Sequence, residues 1–255
     1  MQSTHFWHKF DLHGVKIILI FLLLGVASSA FSQNMKKINL PLYDQNKIHY
    51  GFMLGGHSSK YRIEYSDAFV SQQLDSIHSI VPGNLGGFKL GFVVNFLLYQ
   101  YLDFRILPTV AFYQNDLTYR YTDGTTLREL RDPTFVEVPL LFKYKSVRRG
   151  NTRMYLLAGV SPSIRAAGKG EDDEIKLRIK STNLTFQIGM GFDMYQQLFK
   201  FSPEIRYSYG LVNVLEKEKN IFSEGLRRVT THNLAIYITF EGGPTELKTL
   251  VGGKK

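Results

Sequence analysis

Gly87–Tyr113 reads GFKLGFVVNFLLYQYLDFRILPTVAFY, two alternating runs joined by a tight turn at Tyr99-Gln100. In Gly87–Leu98, Phe88, Leu90, Phe92, Val94 and Phe96 fall on one face, and Lys89, Gly91, Val93 and Asn95 on the other. In Tyr101–Tyr113, Leu102, Phe104, Ile106, Pro108, Val110 and Phe112 oppose Asp103, Arg105, Leu107, Thr109 and Ala111. Side chains alternate faces with period two only in a strand. Each run has about the 9–11 residues that a tilted strand needs to cross a bilayer. A bulky apolar face backed by a small, polar and charged one suits a barrel that is greasy outside and wet inside.

Six further segments repeat the pattern: Lys47–His57, Phe135–Lys145, Arg153–Arg165, Asn183–Asp193, Phe201–Leu211 and Thr231–Glu241. The total of eight is even, as membrane barrels of one chain require. Links alternate in length. Tyr99-Gln100, Ser146–Thr152 and Met194–Lys200 are short, whereas His57–Gly86, Gln114–Thr134, Ala166–Thr182 and Val212–Thr230 are long. Short turns on one side and long loops on the other put both termini on the short-turn, periplasmic side. A soluble barrel would also alternate, but its polar face would meet water. Here that face holds Gly51, Gly55, Gly91, Gly159, Gly189, Gly191 and Gly210, which suit a crowded lumen. Aromatics gather at segment ends as interfacial girdles: Tyr99, Tyr101, Tyr144, Tyr195 and Phe199 on the short-turn side, Phe112, Tyr207 and Tyr209 on the other. The expected fold is all-β, an eight-stranded antiparallel transmembrane up-and-down β-barrel over residues 47–241.

Composition agrees. Of 255 residues, 14% are aromatic and 21% charged, with 22 glycines and no cysteine. Without cysteine there is no disulfide scaffold, thiolate metal site or cysteine nucleophile. Ile17–Val26, IILIFLLLGV, follows a mildly basic stretch and precedes small residues ending in AFSQ. That is a secretory signal, expected to occupy residues 1–32 and to be cleaved after Ser32. The run is shorter than the roughly 20 residues of a spanning helix. Residues 33–46 then form a periplasmic N-terminal segment, and 242–255 a periplasmic tail.

The inward face carries Lys89, Asp103, Arg105, Glu137, Lys143, Arg165, Asp193, Glu204, Arg206 and Glu241. An eight-stranded barrel is only wide enough for side chains to fill it, and buried charges must pair. These residues are therefore expected to form a charge network that closes the pore, in preference to a narrow ion path. No nucleophile elbow, zinc-protease, P-loop or dinucleotide motif occurs. His57 and His78, with Ser58, Ser59, Ser76 and Ser79 nearby, lack a placed third catalytic member. The acidic run Glu171-Asp172-Asp173-Glu174 lacks calcium-loop spacing. No catalytic, cofactor or metal site is expected.

The formal charge is +9, or +8 once Lys9, Lys16 and Asp11 leave with the signal. The excess falls on the periplasmic side: Lys36, Lys37, Arg148, Arg149, Arg153, Lys248, Lys254 and Lys255. Such a face can meet a periplasmic partner or acidic lipid head groups, and no aromatic–basic module suggests nucleic acid.

Thr134–Ile164, TFVEVPLLFKYKSVRRGNTRMYLLAGVSPSI, resembles the PorT/SprT family of Bacteroidetes outer-membrane barrels. The matching elements are Glu137-x-Pro139-Leu140-Leu141, Lys143-Tyr144-Lys145-Ser146, Arg149-x-Asn151-x-Arg153-x-Tyr155 and Gly159. The resemblance implies a non-enzymatic accessory of the type IX secretion system and gliding motility, needed to export proteins with a C-terminal sorting domain. Other secretion-system proteins and outer-membrane lipid would be its partners. Within the matching hairpin, Arg148, Arg149, Asn151 and Arg153 are the expected partner-facing group. A generic structural or adhesive barrel is the first alternative, and a lipid-modifying barrel enzyme the second.

Overall fold

The computed structural model describes residues 38–70, 76–131, 133–166, 177–216 and 221–242. All described strands lie within the unit Asn39–Lys255. In chain order they are β1 (Ile48–Tyr65), β2 (Ile77–Pro82), β3 (Leu85–Tyr99), β4 (Leu102–Ile106), β5 (Thr109–Phe112), β6 (Asn115–Tyr121) and β7 (Thr126–Arg131). There follow β8 (Thr134–Glu137), β9 (Leu140–Lys145), β10 (Thr152–Ala166), β11 (Thr182–Tyr195), β12 (Lys200–Gly210) and β13 (Leu226–Gly242).

The barrel closes on itself. β1 pairs with β3 on one edge and β13 on the other, and β10 through β13 follow in order. β4 and β5 are two halves of one stave, as are β9 and β8, so the ring has eight staves, all antiparallel. Both interruptions fall at prolines, Leu107-Pro108 and Val138-Pro139. Proline has no N–H for the ladder. Leu107 N donates to the Pro139 carbonyl at 3.0 Å, but the return bond is impossible. Instead, the Thr109 hydroxyl donates to the Leu107 carbonyl at 2.7 Å.

The two faces match the alternation. Phe92, 70% exposed, and Phe52, Leu54, Leu90, Phe142, Leu156, Ile188 and Ile236 point outward. Lys89, Asp103, Arg105 and Asp193 are at most 2% exposed and point inward. A soluble barrel would reverse this distribution. Inward glycines make room for lumen tyrosines across the ladder. Gly55 pairs with Tyr237 and Gly191 with Tyr155, and a Cβ at either glycine would collide with the tyrosine ring.

Two expectations need correction. The long links were expected to be loops, but β2, β6 and β7, within His57–Gly86 and Gln114–Thr134, form a second, three-stranded sheet. β1 and β13 run on beyond the bilayer band, pairing Tyr61 with Thr231 and Ile63 with Val229. Tyr61, Ile80, Leu117, Tyr119, Leu215 and Val229 form an apolar core over the loop-side mouth. With Leu177, its members come from six separated stretches, so no local window shows it. Second, Tyr195 is not a girdle residue. It is buried and faces inward, because it lies two residues along from inward Asp193.

Candidate functional site

Along β13 the inward side chains pass from Glu241 through Thr239, Tyr237, Ala235 and Asn233 to Val229. They traverse four layers of the lumen. At the short-turn end, Lys143 Nζ lies 2.7 and 2.8 Å from the two Asp193 oxygens and 3.8 Å from the centre of the Tyr155 ring. Lys200 Nζ reaches Glu241 Oε2 at 2.8 Å and Asp193 Oδ1 at 3.8 Å. Arg105 spans the lumen: Nη2 meets Glu241 Oε1 at 2.8 Å and Nη1 meets Glu204 Oε2 at 3.3 Å. Arg206 Nε donates to Glu204 Oε1 at 2.8 Å, and its Nη1 donates to Gln187 Oε1 at 3.0 Å. Asp103 pairs with Lys145 and accepts from Asn95 Nδ2 at 2.8 Å.

Next comes an apolar layer of Met53, Val93, Leu107, Leu141, Leu157 and Ala235. Beyond it, Lys89 Nζ lies 2.8 Å from Glu137 Oε2 and donates to Tyr113 Oη at 2.7 Å. Tyr113 Oη donates in turn to Glu137 and accepts from Asn233 Nδ2 at 3.1 Å. The cap core packs over this end. Between cap and network lies a cavity of about 20 Å³, lined by Tyr61, Tyr113, Glu137, Asn183 and Thr231, room for about one water.

Asp103, Arg105, Lys143, Asp193, Glu204, Arg206 and Glu241 thus form one network at the short-turn end, and Lys89 with Glu137 forms a separate pair beyond the apolar layer. Arg165 stands apart at the loop-side end of β10, its Nη2 donating to the Ile179 carbonyl at 2.7 Å. Lys145 and Lys200 belong to the network but are missing from the sequence expectation. They are the terminal residues of their strands, where alternation gives least guidance. With them, six cations face five carboxylates, all buried.

Residues 39–46 close the short-turn mouth. Tyr43 to Gln45 form one helical turn. The Tyr43 ring is buried, stacks on His49 at 3.9 Å and meets Tyr195 edge-on at 5.7 Å. Its hydroxyl donates to Glu241 Oε2 at 3.2 Å. Burial, reinforced by the Glu241 carboxylate, pushes the Tyr43 phenol well above its ordinary value. Asp44 takes both Arg153 Nη atoms, at 3.1 and 2.9 Å, and the Tyr195 hydroxyl at 3.0 Å.

This places the four expected partner-facing residues. Arg148 lies over the Tyr195 ring, 3.6 Å from its centre, and donates to the carbonyls of Asn39 and Leu40. Asn151 Oδ1 accepts the Asn39 N–H at 2.8 Å. Arg153 holds Asp44 as above. Only Arg149 of the four is exposed. The others grip residues 39–44 of the same chain, partners more than a hundred positions away in sequence and therefore invisible to local pattern.

His57 is buried in the lumen, with Nε2 3.2 Å from the Phe112 carbonyl and its ring tilted against Tyr113 at 4.5 Å. His78 is exposed on β2. Glu171 to Glu174, Lys36, Lys37, the signal and the tail beyond Gly242 lie outside the described residues. Among the described residues no group of three or more His, Asp or Glu could hold a metal ion.

A search of the curated proteins finds no match. Among solved structures, OprG of Pseudomonas aeruginosa is similar at 13% identity and a TM-score of 0.45, covering 77% of this chain and 96% of that one. Neisserial surface protein A is similar at 11% identity and 0.40, covering 74% and 95%. The outer membrane protease OmpT of Escherichia coli is similar at 11% identity and 0.40, covering 82% and 99%. The family model described as an outer membrane protein beta-barrel domain matches residues 31–216, well over half the chain. With its inside-out polarity and eight-stave ring, the chain belongs to this family of outer-membrane β-barrels.

Proposed function

We propose that this barrel is a non-enzymatic, non-conducting accessory of the type IX secretion system, serving export of proteins with a C-terminal sorting domain. Its long loops face outward and its termini lie in the periplasm. The observation that carries the non-conducting part is the lumen, filled by buried ion pairs and covered at both mouths. With the interior occupied, the working parts are the surfaces. On the short-turn side, Arg149 is exposed beside the docked residues 39–46 and offers a contact for another secretion protein. The assignment to that machinery rests on the resemblance of Thr134–Ile164.

The test is a clean deletion in the native host, with proteomics of medium and periplasm. Cargo with C-terminal sorting domains should leave the medium and accumulate in the periplasm, and the intact gene should restore it. Normal secretion overturns the reading. Arg149→Ala should then lower export without loss of the folded barrel.

One feature favours a second reading, a structural or adhesive barrel. The cap has its own apolar core and a three-stranded sheet, which gives the loop side a folded surface for recognition. A lipid-modifying enzyme would need His57 at the membrane rim, whereas that ring is turned into the lumen.

A further inference from the structure

β1, β12 and β13 differ from the rest of the outer wall at their loop-side ends. Lys60 lies directly across the ladder from His232, which in turn lies across from Tyr209. Arg62 is one outward step further along β1, opposite Thr230. Lys60, Arg62 and His232 share the parity of Leu54, Ile236 and Leu234, so all face away from the lumen. Tyr207 Oη is 2.8 Å from His232 Nδ1, and the Tyr209 ring meets the imidazole edge-on at 4.6 Å. Lys60, Arg62, Tyr207 and His232 border a groove of about 530 Å³ that continues to Asn84 and down to Leu234. Neither Lys60 nor Arg62 has an ion-pair partner among the described residues. At the loop-side ends of β5, β8, β10 and β11 the outward residues are Phe112, Thr134, Ile164 and Thr182, none charged.

We propose that this groove binds the phosphate of an anionic glycolipid of the outer leaflet, with its acyl chains lying along Leu54, Leu234 and Ile236. The position selects the ligand. Below the groove the wall is continuously apolar for about the height of a bilayer core, and the tyrosines mark the interface. Two uncompensated cations at that level attract a phosphate while the groove floor receives a hydrocarbon chain. A ligand that satisfies both must carry the two chemistries in one molecule. The Tyr207–His232 bond fixes the imidazole as one rim of the groove. The proposal rests on the long loops facing outward, as in the reading above.

The experiment is native mass spectrometry of the detergent-solubilised full barrel with phosphorylated lipid A, dephosphorylated lipid A, or inorganic phosphate as competitor. Lipid A should bind, and both K60Q/R62Q and removal of the lipid phosphates should weaken binding about tenfold or more. Inorganic phosphate at millimolar levels should not displace the lipid. Unchanged binding in K60Q/R62Q overturns the site, provided the variant keeps the heat-modifiable gel shift of a folded barrel. Displacement by free phosphate reduces the groove to a simple anion site and also overturns the proposal. Orientation is tested separately with Asp123→Cys at the β6–β7 turn. Labelling by an impermeant maleimide on intact cells supports the outward loops. Labelling only after permeabilisation overturns that orientation whatever lipid A does in detergent.

Discussion

Arg105 is fully buried and holds two carboxylates on different staves, Glu204 on β12 and Glu241 on β13. The pairs themselves contribute little net stability, because desolvation offsets the Coulomb gain. Breaking one is different, since it strands a charge. Arg105→Met should therefore destabilise the barrel by about 3–5 kcal/mol, read as a lower unfolding midpoint in urea on lipid vesicles. Replacing Lys89 and Glu137 together, as Lys89→Met with Glu137→Leu, should cost far less than either change alone. If the single and double variants unfold alike, the lumen is hydrated enough to screen its charges. At this scale the sequence was highly legible. Alternation alone assigns Lys89, Asp103, Arg105, Lys143 and Glu204 to one wet face, because parity survives along an unbroken strand. Tyr43 and Asp44 lie in a single helical turn ahead of β1, where no period exists, and nothing local links them to Glu241 or Arg153.

At the scale of elements, the latch and the cap make separable predictions. Asp44 is partly exposed, so solvent limits the worth of its bidentate bond to Arg153. Asp44→Ala should accordingly leave the barrel's unfolding midpoint nearly unchanged while making residues 39–46 sensitive to protease. The Tyr43 phenol is raised above its ordinary value, so its neutral form is the one that stabilises the docked segment. That contribution is complete below a tyrosine's usual pKa of about 10 and is lost as pH climbs beyond it towards the folded-state value. Limited proteolysis should thus release the segment at alkaline pH in the wild type, and Tyr43→Phe should remove that dependence. For the cap, Tyr119→Ala takes a fully buried ring from its apolar core. A loss of about 3–5 kcal/mol in so small a unit should open the β6–β7 hairpin to trypsin while the barrel band on gels persists. The staves and short turns could be read from the chain because each is one continuous pattern. The cap could not, since its core is assembled from β1, β2, β6, β13, Leu177 and the stretch around Leu215.

For the whole molecule, the deciding quantity is whether any continuous aqueous path crosses the bilayer. Three barriers stand in series along the lumen axis: the latch at Tyr43, the ion-pair layer with its apolar neighbour, and the cap. An eight-stave ring leaves little room beyond the side chains it contains, and the inward tyrosines opposite Gly55 and Gly191 use even the space that glycine provides. The purified barrel should give no stable current steps in planar bilayers. Removal of the latch separates a plug from a gate. If residues 33–46 were a gate, their deletion would open a conducting path. If the pore is closed by its own walls, deletion leaves Arg105, Lys143, Asp193 and Glu241 still paired across it, and the bilayer stays silent. We expect silence in both preparations. Reproducible steps in the deletion alone would make the N-terminal segment a gate and the barrel a channel.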